Sequence, residues 1–157
     1  MNLIKQIAKN IRDLYFGENW TTVNFKDTLS DITWDQATVK FNSMNTIASL
    51  LYHTNYYNKA VINVLQGNML TAHDNDSFDH PRIESPGDWE SLLNETWSDV
   101  ETLTTIVELL PESKLLDTFS EEKYGNYYVN IHGLIEHGYY HLGQIVWIKK
   151  YLLQTML

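Results

Sequence analysis

Four stretches of this chain repeat their apolar residues at intervals of three and four, a pattern that restricts the chain to helical folds. The pattern predicts four long helices, at about residues 2–16, 45–66, 86–110 and from 127 almost to the carboxyl terminus. Ser85 as N-cap and Pro86 in the first helical position give the third helix a defined start. No segment alternates as a half-buried strand would. The sequence therefore predicts an all-α fold, a four-helix bundle.

A long connection separates the first two predicted helices. Gly17 ends the first helix, and residues 18–42 mix aromatic residues with short polar stretches that leave room for one or two helical turns. Both up-and-down connectivity and a crossover are compatible with a connection of this length. The chain has 157 residues and 43% hydrophobic residues, enough for one core, so we expect a single domain over residues 1–157.

The charge of the chain argues against two classes of partner. Twenty acidic and 11 basic residues give a net charge of -9, and no Lys/Arg cluster offsets it. Because nucleic acids and anionic membranes are bound largely through phosphate neutralisation, we expect neither as a partner.

The chain has no cysteine, which excludes disulfides and thiolate zinc sites. Lys5, Lys9 and Arg12 interrupt the amino-terminal apolar residues, so we expect no signal peptide and a cytoplasmic location.

Two histidines of the last predicted helix lie close to its core-facing side. At about 100° per residue, that side is formed by Leu134, Ile145, Ile148 and Leu152. His141 lies in the middle of this stripe, and His137 lies one turn earlier, at the i, i+4 spacing that makes two side chains neighbours. His53 lies at the edge of the apolar stripe of the second helix. A facing helix can therefore supply a third imidazole to the same ion.

Buried imidazoles need polar partners, and a shared divalent cation would satisfy one nitrogen on each of these three rings. The alternative is that each is a core histidine bonded to a neighbouring carbonyl or hydroxyl. The other three histidines fit the proposed site less well. His132 faces away from the core and pairs with Glu136 at i, i+4, while His73 and His80 lie in a loop of turn residues.

The helix that carries His137 and His141 lacks the zinc-protease motif. That motif requires Glu directly after the first histidine as the general base, and this chain has Gly138 there. Glu136 precedes the pair and faces away from it. Gly138 falls on the core-facing side, where its missing side chain either admits a ligand or lets another helix approach closely.

Two motifs resemble those of a known family. The segment LYHTNYYNKAVINVLQG around His53 and the segment IEHGYYHLGQIVWIKK around His137 and His141 resemble the DinB family, also called the DinB/YfiT-like metalloenzymes. The segments WTTVNFKDTLSDITWDQA, SPGDWESLL and KYGNYYVNIHGLIEH extend the resemblance over nearly the whole chain.

The resemblance implies a bundle with a non-sequential helix order, frequently a homodimer, and a divalent metal ion on His53, His137 and His141. It also implies that Gln144, in the Gly-Gln pair after the last histidine, orients the site, with plain helix packing as the alternative role. We expect zinc or nickel, with iron or manganese as alternatives. Some relatives are similar to thiol S-transferases or thiol-dependent isomerases, which implies a low-molecular-weight thiol as cosubstrate.

An open three-histidine site favours a metal-dependent enzyme that activates a thiol for transfer to a small electrophilic substrate. One alternative is a metal-dependent hydrolase, for which the sequence places no carboxylate as base. Another is a non-catalytic stress-response or binding module. Because the ligating imidazoles must be neutral, we expect metal binding to weaken as the pH falls through about 6.

Overall fold

The computed structural model describes residues 2–41 and 43–155, and within these ranges the regular structure is helical and no strand forms. Three short 3-10 helices occupy Asp74–Asp76, Glu112–Leu116 and Glu122–Tyr124. The α-helices are α1 (Leu3–Phe16), α2 (Phe25–Leu29), α3 (Trp34–Ala37), α4 (Ile47–Leu65), α5 (Pro86–Leu109) and α6 (Tyr127–Thr155). The predicted all-α fold with four long helices is confirmed. Asn42, the end of the predicted connection, lies outside the described residues.

Local capping explains where the long helices begin and end. The Thr46 hydroxyl accepts from the Ser49 N–H at 3.0 Å at the start of α4, and the Ser85 hydroxyl accepts from the Asp88 N–H at 3.3 Å at the start of α5. The predicted start of α5 at Ser85 is confirmed. Gly67 follows α4 with a φ of 88°, the left-handed conformation that glycine adopts most readily after a helix.

The long helices do not follow chain order around the bundle. α1 packs mainly against α5 and α6, and α4 packs against the same two helices from the opposite corner. The connection between α1 and α4 therefore crosses the bundle diagonally, which decides between the two connectivities that the sequence left open. As a result α4 and α6, which carry the three candidate histidines, are neighbours.

The long connection is part of the core. α2 packs against α1 and α6, and α3 packs against α4 and α5. Phe25 is fully buried and stacks on Tyr15 with ring centroids 4.7 Å apart. Ile32 lies later in the connection, and its backbone carbonyl accepts a hydrogen bond from the Trp89 indole of α5 at 2.9 Å. This connection fixes the diagonal arrangement of the helices by burying its own apolar residues.

The face of α6 that the sequence assigns to the core is buried. The exposed fractions of its four apolar residues are 9% for Leu134, 0% for Ile145, 1% for Ile148 and 2% for Leu152. Among the helices of the described residues, none is long and apolar enough to cross a bilayer.

Gly138 marks the closest approach of α1 to α6. A Cβ atom at this position would overlap Leu14 Cδ2, and the Leu14 side chain is itself only 1% exposed. The missing side chain therefore accommodates the neighbouring helix. This finding selects the packing role over the ligand-admitting role for Gly138.

Replacing Gly138 with Ala should lower the free energy of unfolding by about 1–3 kcal/mol, because the added methyl group overpacks the contact with Leu14. Urea denaturation of both proteins would measure the difference. Gly143→Ala is the matched control, since Gly143 lies on the same helix with nothing within 4 Å of its Cβ position. That variant should gain up to about 1 kcal/mol from helix propensity. Equal stability of the two variants would contradict the packing role.

Candidate metal centre

The three predicted histidines meet between α4 and α6. His53 and His141 are 8% and 7% exposed, and His137 is half-buried between them. The apolar periodicity of the two helices turns these side chains inward, and the diagonal connection places the helices side by side. The predicted convergence of the three rings is confirmed.

Each of the three rings points its Nε2 atom toward the other two rings. His137 Nε2 lies 3.0 Å from His53 Nε2 and 3.0 Å from His141 Nε2. The potential ligand atoms of the three residues all lie within 4.8 Å of one another. In a tetrahedral zinc site, Zn–N bonds of about 2.0–2.1 Å separate two ligand nitrogens by about 3.3 Å. The spacing therefore suits a single small cation.

Hydrogen bonds on the far side of two rings fix their tautomers. The Ser77 hydroxyl donates to the Asp74 carbonyl at 2.7 Å, so it accepts from His53 Nδ1–H at 3.0 Å. Gln144 Oε1 accepts from His141 Nδ1–H at 2.7 Å. In the neutral rings, the Nε2 atoms of His53 and His141 consequently present lone pairs to the centre. Gln144 thus contacts one of the three candidate ligands directly.

His137 cannot satisfy both of its neighbours with one proton. If its Nε2 carries a hydrogen, that hydrogen bonds either His53 or His141, and the lone pair of the other neighbour is left without a donor at 3.0 Å. If its Nε2 is bare, both contacts are unfavourable. A cation at the centre would satisfy all three lone pairs at once. The donor set and its geometry therefore fit a bound metal ion.

Burial keeps these imidazoles neutral. Desolvation and the nearby His141 lower the pKa of His53 from 6.5 to about 4. Desolvation, followed by the neighbouring His141 and His53, lowers the pKa of His137 to about 4. Burial also lowers the pKa of His141, and the Gln144 hydrogen bond opposes this shift. His53 and His137 are therefore neutral at pH 6, which is the form in which an imidazole binds a metal ion.

Aromatic rings enclose the triad. Phe78 stacks on His53 with centroids 3.9 Å apart and an interplanar angle of 9°. Tyr57 meets both His53 and His137 edge-on, with centroid distances of 5.2 Å in each case. These contacts hold the imidazoles in place and reduce the water around them, which strengthens electrostatic interactions at the centre.

The loop after α4 supplies contacts that the sequence analysis did not assign to the site. Ser77 is fully buried, and it reaches His53 because the short 3-10 helix at Asp74–Asp76 turns the chain inward. The Tyr57 hydroxyl donates to the Asp74 carboxylate, and the Tyr56 hydroxyl accepts from the His73 N–H at 2.8 Å. Apolar residues in this loop, among them Leu70, Phe78 and Ile83, were the sequence signal that the segment packs against the bundle.

The other three histidines lie outside the cluster, as predicted. His132 Nε2 lies 3.6 Å from Glu136 Oε1 on the outer face of α6. His80 is half-buried, with its ring nitrogens bonded to the Pro81 carbonyl at 2.7 Å and the Ser49 hydroxyl at 3.1 Å. His73 is exposed. Within residues 2–41 and 43–155, the triad is the one group of three or more His, Asp or Glu residues with metal-binding spacing.

A cleft of about 570 Å³ leads to the triad and is lined in part by His53, His137 and Asp74. A larger cleft of about 860 Å³ lies between α1, α6 and the segment after α1, and none of the three clustered histidines lines it. The smaller cleft is therefore the one that gives a ligand access to the histidines.

Comparison of this chain with protein-family models, curated proteins and solved structures found no match. The resemblance to the DinB family consequently rests on the motifs quoted above. The convergence of the three Nε2 atoms supports a metal site independently of that resemblance.

The metal-free protein should lose stability as the pH falls from 6.5 to about 4. In this window the imidazoles of His53 and His137 take up protons in the unfolded chain and remain neutral in the folded one, so protons favour unfolding. Urea denaturation in the presence of a chelator would measure the slope. The double variant His53→Gln/His137→Gln should show a smaller loss over the same range. Identical slopes would contradict the lowered pKa values.

Replacing Ser77 with Ala should weaken zinc binding about 10- to 100-fold, because His53 loses the acceptor that holds its tautomer and ring orientation. Competition titration against a chromophoric chelator would measure the affinity. Ser91→Ala is a suitable control, since the Ser91 hydroxyl is exposed and bonds only the Gly87 carbonyl of its own helix. Unchanged affinity in a folded Ser77→Ala protein would remove Ser77 from the site.

Proposed function

We propose that this chain is a metal-dependent enzyme that transfers a thiol to a small electrophilic substrate, in which a new bond from sulfur to the electrophilic atom replaces the bond to a leaving group that departs with the thiol proton. The observation that carries the proposal is the meeting of three Nε2 atoms, two of them fixed as lone-pair donors, at a cleft. A closed structural site would surround its ion with four protein ligands. Here the protein offers three, and an open position is what catalytic sites keep.

In this proposal His53, His137 and His141 hold the ion as neutral ligands. A divalent cation held by these neutral ligands would supply a positive charge that makes a thiol or water more acidic and a substrate carbonyl more electrophilic. Ser77 and Gln144 hold two of the rings in the ligating tautomer. Zinc and nickel suit three imidazoles, and iron or manganese are the alternatives.

The thiol chemistry in this proposal comes from the resemblance to the DinB family. Membership of that family is therefore part of the proposal. The all-helical bundle, its non-sequential helix order and the three-histidine cluster agree with what that resemblance implies. A small-molecule substrate and a low-molecular-weight thiol complete the proposed reaction. The single domain, the homodimer and the cytoplasmic location stay predictions.

A metal-dependent hydrolase is the second candidate, and one observation favours it. Asp74 lines the cleft beside the triad and is the one carboxylate among the described residues that does so. A carboxylate in this position could serve as the base for a water molecule. The carboxylate already accepts the Tyr57 hydroxyl, which makes it a less available base.

Zinc- or nickel-loaded protein should consume a low-molecular-weight thiol in the presence of an electrophile, and a panel of thiols and electrophiles would measure this. His141→Ala should lose most of the bound metal, by elemental analysis, and with it the thiol consumption. His132→Ala should keep both, because His132 lies outside the cluster.

Equal metal loss in the two variants would contradict the assignment of the triad. A loaded wild-type protein that hydrolyses esters or amides without consuming thiol would favour the hydrolase. An empty site that takes up neither zinc nor nickel would favour a non-catalytic binding or stress-response module.

A further inference from the structure

The cleft at the triad adjoins a second cleft of about 450 Å³. The two clefts share Tyr57, Val61, Asp74 and Asn130 as lining residues. His53 and His137 line the first cleft, and Phe119 and Tyr124 line the second. A ligand that extends from the triad along this path therefore passes Asp74.

The charge along this path has one sign. Among the described residues, no lysine or arginine lines either cleft, and Asp74 is the one carboxylate that lines them. A ligand whose anionic tail extends away from the triad would find no cationic side chain along this path. A cationic group would find Asp74, in a protein whose net charge is -9.

The position of Asp74 relative to the triad is fixed from two sides. Its carboxylate accepts the hydroxyl of Tyr57, whose ring contacts both His53 and His137. Its backbone carbonyl accepts from Ser77, which in turn bonds His53. A single tyrosine side chain thus contacts the carboxylate through its hydroxyl and the two imidazoles through its ring. A ligand that touches both needs a spacer of only a few atoms.

We propose that the ligand of this site is an aminothiol, in which a short spacer joins the metal-binding thiol to a primary ammonium group that pairs with Asp74. The exposed Asp74 carboxylate keeps one oxygen for this contact while the other accepts from Tyr57. The inference rests on the proposed function, because the triad must hold a metal that binds the thiol. It adds the charge and the approximate length of the thiol to that proposal.

The test compares thiols that differ mainly in their distal group. Calorimetric titration of zinc-loaded protein with cysteamine, 2-mercaptoethanol and 3-mercaptopropionate gives affinities for a cationic, a neutral and an anionic tail. The pair 3-aminopropane-1-thiol and 3-mercaptopropan-1-ol covers a spacer longer by one carbon. Because thiol acidity also differs, the quantity to compare between proteins is the ratio of the amine affinity to the alcohol affinity.

Asp74→Asn keeps an acceptor for Tyr57 and removes the charge. In this variant the ratio should fall about three- to tenfold from its wild-type value, the contribution expected of a charged hydrogen bond at a solvent-accessible site. The affinity for 2-mercaptoethanol should stay within about twofold, because that thiol makes no charged contact. Asp76→Asn is the matched control, since Asp76 is exposed on the same loop and lines neither cleft, and it should keep the wild-type ratio.

Two results would overturn the proposal in distinguishable ways. If the thiols bind but the ratio is the same in wild type, Asp74→Asn and Asp76→Asn, Asp74 does not recognise an ammonium group and the proposed function stands. If no thiol binds the zinc-loaded protein, the proposed function fails and the inference fails with it. If the ratio of amine affinity to alcohol affinity falls in Asp74→Asn but not in Asp76→Asn, the result supports both the aminothiol inference and the proposed function.

Discussion

The mutual approach of three imidazole nitrogens is the interaction on which the rest of the site depends. Two of the three are committed to present lone pairs, because Ser77 and Gln144 occupy their opposite nitrogens. Lone pairs that face one another at partly buried positions are unfavourable unless something positive lies between them. The rings of Phe78 and Tyr57 make that requirement stronger, because they cover part of the imidazole surface that water would otherwise contact.

The arrangement of helices in the bundle brings these three imidazoles together. The connection after α1 buries Phe25 in the core and carries the chain to the opposite corner, so that α4 ends up beside α6. Gly138 lets α1 come close to α6 one residue after the first ligand of that helix, His137. The histidines are therefore held by rigid helices, while the loop that orients His53 is tied to α4 by two tyrosines.

Helical periodicity predicted much of this structure because it reports which side of a helix is buried. The four long helices, the start of α5 and the inward face that contains His141 all follow from local spacing and capping. The order of the helices around the bundle could not be predicted from local spacing, because the long connection between α1 and α4 permits two topologies. The contacts of Ser77 and Asp74 with the site could not be predicted either, because an irregular polar loop has no period that indicates where its side chains point.

The separation of His53 and His137 along the chain has a consequence for the stability of the whole protein. These residues are 84 positions apart, and an ion bound to both would act as a cross-link between distant parts of a chain that has no cysteine. By the chain-entropy model used for disulfides, closing a loop of that length raises the free energy of the unfolded state by about 4–5 kcal/mol. The same ion would thus serve as a removable staple, and the resistance of the protein to heat and proteolysis would follow the supply of metal in its surroundings.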